Sequence, residues 1–158
     1  MRGKLIEDLL FEQCVAPAVR TTAVTLYNGS LISVSGNGIN TSECDEINFV
    51  INAGTFVGAA TLNADVIGSN TNDPSVNAAL LSGRTSPNDA AGNATFTTIT
   101  TANDARRHAA SIKSKNFPKW MWLRTYQTAD TTNYSALAIK GKCDRNPQIN
   151  NPVFDLNY

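Results

Sequence analysis

The chain is short of charge. Lys, Arg, Asp and Glu make up 16% of its 158 residues, where an average globular protein carries about 25%. The 13 basic and 13 acidic side chains cancel, so no net field is offered to nucleic acid or to an anionic membrane. Histidine is almost missing. His108 is the only one, so a Ser-His-Asp triad would have to use it, and no G-x-S-x-G elbow accompanies it. There is no P-loop, and no G-x-G-x-x-G opens a helix; Gly36-Asn37-Gly38 reads as a turn. Asp45 and Glu46 are adjacent in a strand pattern and would point to opposite faces, which excludes a paired glycosidase site. No stretch approaches the roughly 20 apolar residues of a membrane span. Near the start, Leu5, Ile6, Leu9, Leu10 and Phe11 are interrupted by Glu7 and Asp8, so no apolar signal-peptide core forms. A soluble protein made in a reducing cytoplasm is expected.

Cysteine is sparse as well. Cys14, Cys44 and Cys143 are far apart and form no C-x-x-C pair, which argues against zinc or redox motifs. Their odd number favours free, buried thiols. Asp65, Asn70, Asn72 and Asp73 gather oxygen donors but do not fit a calcium loop. No metal or cofactor is expected.

Polarity comes instead from Asn, Thr and Ser, residues of turns, caps and strands. Residues 4–13, KLIEDLLFEQ, have helical spacing and predict a short helix ended by Pro17. So short a helix must dock on something to persist. Beyond it the period becomes two. Residues 21–27 read as a strand, Asn28-Gly29 as a type I′ hairpin turn, and 31–34 as the return strand. Residues 46–53 place Ile47, Phe49 and Ile51 on one face, and 59–67 place Ala60, Leu62, Ala64 and Val66 together. Residues 68–93 are a polar excursion in which only 76–81 has ordered character. Strands follow at 94–101, with Phe96 and Ile99, and at 106–115. In 119–128, Trp120, Trp122, Arg124 and Tyr126 share one face and Met121, Leu123 and Thr125 the other. Residues 134–140 complete the set, with Leu137 and Ile139 expected inward.

These readings give a mainly β fold: an antiparallel β-sandwich or barrel-like domain with a short N-terminal helix and extended terminal arms. The expected organisation is an N-terminal helix or arm over 1–20, a β domain over 21–141 containing the long polar loop 68–93, and an extended tail over 142–158. The aromatic row of Trp120, Trp122 and Tyr126 reads first as core. It could also be a sugar platform or a protein contact. The basic residues from Arg106 to Arg124 read as a solvated face.

From about Glu43 to Pro147, the order INFVINAGTFVG, alternating strand, long polar loop, KWMWLRTYQT and NYSALAIKGKCDRNPQ resembles small virion proteins of tailed bacteriophages. The resemblance is to capsid-decoration (cement, head-stabilising) proteins. The predicted N-terminal helix lies outside it. It implies a non-enzymatic structural protein on the capsid exterior, synthesised in the host bacterial cytoplasm. Its partner would be the major capsid protein, and it would form a homo-oligomer, a trimer ahead of a dimer, with no nucleic acid or membrane. The expected partner contacts are Leu5, Leu9 and Leu10 in the first segment and Phe154, Leu156 and Tyr158 in the tail. Deleting either terminal segment, 1–20 or 141–158, is expected to weaken capsid binding and leave the fold intact. The alternatives are a tail, neck or fibre-associated virion subunit and a carbohydrate-binding module; an enzyme ranks last.

Overall fold

Alternating apolar and polar residues over most of the chain call for strands with one face buried, and most of these strands pair with partners distant in sequence. The structure, a computed structural model, describes residues 9–31, 36–42, 44–76, 79–80, 96–113 and 118–143. Among the described residues there is no helix, and the strands are β1 (Leu9–Arg20), β2 (Val24–Tyr27), β3 (Ile39–Asn40), β4 (Cys44–Ala53), β5 (Thr61–Ser69), β6 (Ala79–Leu80), β7 (Ile99–Thr100), β8 (Arg107–Lys113), β9 (Trp120–Gln127) and β10 (Thr132–Cys143).

Two sheets result. The first has the order β1-β10-β4-β8, and the second β2-β9-β5-β6, with β3 beside β9 and β7 beside β5. All pairings are antiparallel. The pairs are nested: β1 with β10, β2 with β9, β4 with β8, and β5 with β6 and β7. A long hairpin rolled over on itself has this order, and it is the sheet order of a jelly roll.

One buried cluster joins the sheets. Ile47, Phe49 and Ile51 of β4 and Ala136 and Ala138 of β10 belong to it, with Leu62, Ala64 and Val66 of β5 and Met121 and Leu123 of β9. The hydroxyls of Thr125 on β9 and Tyr134 on β10 meet across it at 3.1 Å.

The chain's first strand departs from expectation. Residues 9–13, predicted helical, lie in β1, whose Leu9 to Gln13 run opposite Gly141 to Leu137 of β10. Residues 4–8 of that prediction lie outside the described residues. A two-turn helix is marginal by itself, whereas pairing with β10 satisfies one side of the backbone over the whole segment. Pro17 does not stop the strand. It falls at the register shift between Val15 and Ala18, on an edge strand, where a missing N–H is tolerated. A deletion of 1–20 would therefore remove a strand of the first sheet rather than a loose arm.

β10 also inverts a prediction. Tyr134, Ala136, Ala138 and Lys140 are the buried residues of 134–140, and Leu137 and Ile139 alternate with them on the outer face. Both faces of YSALAIK are apolar, so alternation alone does not say which is inside. The small alanines face the core because Phe49 and Ile51 directly opposite them already fill it.

The Asn28-Gly29 turn is as predicted: both residues have positive φ, 46° and 79°, and Tyr27 and Ser30 exchange backbone hydrogen bonds. The return strand is not formed at Leu31, and 32–34 lie outside the described residues. Instead, the Asn28 side chain continues the ladder. Its Oδ1 accepts the Leu123 N–H at 2.9 Å and its Nδ2 donates to the Asn37 carbonyl at 2.8 Å. A side-chain amide thus bridges the gap on β9 between the stretches paired with β2 and β3.

The cysteines divide. Cys44 is disulfide-bonded, which corrects the expectation of free thiols throughout; its register partner on β10 is Cys143. Cys14 is free and buried. Burial pushes its thiol from 9.0 up to about 12. The folded state therefore holds this proton more tightly than the unfolded chain does. The associated stability is complete below about pH 9 and is lost as the pH rises toward 12. Tyr134, also raised by burial, acts in the same direction. Native Cys14 is expected to resist alkylation at pH 8 and to react freely in denaturant. Equal labelling rates in the two states would refute its burial.

Candidate interaction surface

The outer face of the first sheet follows from the register. Residues that alternate with the core line it. Gln13, Leu137, Val50 and Ala109 form one row across β1, β10, β4 and β8, and Phe11, Ile139 and Asn48 form the next. Leu9 and Gly141 begin a third. Phe11 is 57% exposed and Val19, further along β1, is 62% exposed. Leu9, Val50, Leu137 and Ile139 are half-buried. Leu9, Phe11, Val50, Leu137 and Ile139 thus form a patch on a sheet face, with amides of Gln13, Asn48 and Asn52 around it. Contiguous exposed apolar surface of this kind marks a protein contact more often than single exposed residues do.

Of the residues expected to make contacts, Leu9 lies on this face. Leu10 is next to it on β1, opposite Lys140. Leu5, Phe154, Leu156 and Tyr158 lie outside the described residues. Phe11, Val50, Leu137 and Ile139 were not expected. Their signal is present in the sequence as strands apolar on both faces, a pattern that says two surfaces are covered without saying by what.

The second sheet has a different outer face. Asp65 of β5 is buried and fully engaged there. Its Oδ1 accepts Arg124 Nε at 2.8 Å, and its Oδ2 accepts Arg124 Nη2 at 2.5 Å and the Tyr126 hydroxyl at 2.8 Å. The paired carboxylate holds the Arg124 guanidinium well above its ordinary value, and burial raises the Tyr126 phenol. Trp122 is on this same face yet fully buried. Its Nε1 donates to Asn37 Oδ1 at 2.9 Å, and Gly38 lies so close that an added Cβ would be 2.7 Å from the ring. The aromatic row is therefore not the inter-sheet core, which Met121, Leu123 and Thr125 enter instead. Nor is it a flat platform: Trp122 is covered, and Tyr126 is tied to a carboxylate.

His108, Asn70, Asn72 and Asp73 are engaged in structure. His108 Nε2 lies 3.1 Å from the Asn103 carbonyl. Asn70 Oδ1 accepts the Lys119 N–H and Asn72 Oδ1 the Gly38 N–H. Asp73 accepts both donors of Ser75. These donors, grouped in sequence as a calcium candidate, thus serve separate turns. Among the described residues no group of three or more His, Cys, Asp or Glu side chains is placed to hold a metal, and no helix is long and apolar enough to cross a membrane.

No protein-family model matches the chain, and no curated protein matches it in sequence. Among solved structures it is similar to the SPBc2 prophage-derived protein YomS, at 9% identity and a TM-score of 0.44, over 84% of this chain and 92% of that one. It is also similar to VP2 of infectious bursal disease virus in a subviral particle, at 14% identity and a TM-score of 0.43. That match covers 87% of this chain and 33% of VP2, so the chain spans about a third of that protein's length.

Proposed function

We propose that the chain is a viral structural protein: a capsid-decoration subunit that binds the outside of a tailed-phage head and stabilises its lattice. The observation that carries this reading is the apolar outer face of the first sheet, formed by Leu9, Phe11, Val50, Leu137 and Ile139. The jelly-roll order supports it, since that architecture serves viral capsid proteins as well as lectins and cupins. Fold alone does not choose among those uses; the apolar surface is what favours this reading. A rigid sheet face with a few apolar anchors and an amide rim suits repeated docking on a lattice. There, modest contacts per subunit add up over many copies. The major capsid protein is the partner this reading implies, and no catalytic step is needed. The carbohydrate-binding reading loses support because Trp122 is buried and Tyr126 is bound to Asp65.

The test is co-sedimentation of the purified protein with empty heads, and separately with tails, of the virion that carries it. Saturable binding to heads, abolished by Leu137→Glu, is the expected result. Binding to tails alone would move the protein to the tail, neck or fibre reading. Binding to neither particle would overturn a structural role. Truncations should spare the first sheet and remove only 1–8 or 144–158.

A further inference from the structure

We propose that the Leu9–Gln13 stretch of β1 is a self-association edge, pairing antiparallel with the same segment of a second copy about a two-fold axis. The inference rests on two independent features of one strand. First, β1 is the end of the first sheet: β10 lies on one side, and among the described residues no strand lies on the other. An unpaired edge presents a row of backbone donors and acceptors to any chain that can match it. Second, β1 carries Phe11, 57% exposed, at that same edge, next to Ile139.

The occupant follows from charge and geometry. Edges are usually guarded by free charges, most often lysine. β1 has two charged side chains, and neither is free. Glu12 is ion-paired with Lys140. The Arg20 guanidinium donates to the carbonyls of Ala16, Ala18 and Tyr134 and stacks 4.5 Å from the Tyr134 ring. With 13 charges of each sign in the chain, a second copy is not repelled. A strand set antiparallel to itself is self-complementary, as a two-fold interface requires. The irregularity after Gln13 and the burial of Cys14 and Val15, with Gly29 against the Cys14 carbonyl, end the pairing and confine it to Leu9–Gln13. The product is a dimer with one continuous eight-stranded sheet, whose two apolar outer faces lie side by side. The trimer that the sequence resemblance favours is not what this edge builds. The proposal does not depend on the decoration reading, because the edge is the same in a head, in a tail or in solution.

The experiment is sedimentation velocity of the full chain over a range of concentrations, with Phe11→Glu and, as a control elsewhere on the surface, Val57→Glu. The expected result is a reversible dimer. Phe11→Glu should weaken it roughly 100-fold, since the side chain is buried in both halves of a two-fold interface. Val57→Glu should leave it unchanged. Both positions are exposed, so both variants should melt at the wild-type temperature at concentrations low enough that all three are monomers. Hydrogen exchange supplies the second readout: the amides of Leu9 to Gln13 should gain protection with concentration. A monomer at every concentration, a trimer, a dimer indifferent to Phe11→Glu, or a dimer without protection in β1 would each overturn the proposal.

Discussion

Reductant is expected to lower the unfolding free energy by about 4–5 kcal/mol, a large part of the roughly 5–15 kcal/mol that holds a typical domain together. Cys44 is disulfide-bonded and lies in register with Cys143, while Cys14 is free. A bond between the first two closes a loop of about 100 residues, near the top of the range over which cross-links restrict the unfolded chain. Urea unfolding with and without dithiothreitol measures the effect. Cys44→Ser should reproduce the loss and abolish the response to reductant. Cys14→Ala should keep the response. Equal midpoints with and without reductant would show that the bond contributes nothing.

Trp122→Ala should cost about 3–5 kcal/mol, as large as a deletion in the main core, although Trp122 faces away from it. The indole holds a second packing layer. Asn37 accepts its N–H, Gly38 rests on its ring, and Asn72 clasps the Gly38 N–H. Removing it leaves a cavity and frees the turns that close over β9. Trp122→Phe keeps much of the volume and loses the hydrogen bond, at about 1 kcal/mol. Chemical denaturation orders the variants. A Trp122→Ala protein of near-wild-type stability would mean that the covering turns contribute little.

What the sequence disclosed depended on how local the information was. The strands at 46–53, 59–67 and 119–128 were legible because one face of each carries apolar residues at a period of two over the whole segment, and Asn28-Gly29 because positive φ at two successive positions is a chemical demand. The segment 4–13 was misread in its second half. Its apolar spacing fits a helix, and what overrides it is β10, more than 120 residues away. The orientation of β10 was illegible for a similar reason: only Phe49 and Ile51 across the ladder decide that the alanines face inward. The interaction surface went unseen with it, because Leu137 and Ile139 were assigned to the core. Of the expected contacts, Leu9 alone could be placed on that surface.

The nesting of β1 with β10 has a consequence for how the molecule comes into being. β10 sits between β1 and β4 in the first sheet, so two strands made early stay apart until one made last arrives between them. During synthesis, β1 and the β10-facing side of β4 must wait unpaired until β10 has been made. Closing such distant pairs is slow, and the waiting strands are prone to pair with the wrong partner. The polar, turn-rich stretches and the scarcity of long apolar runs are then more than surface decoration. They favour a nascent chain that stays dispersed until β10 is available to pair.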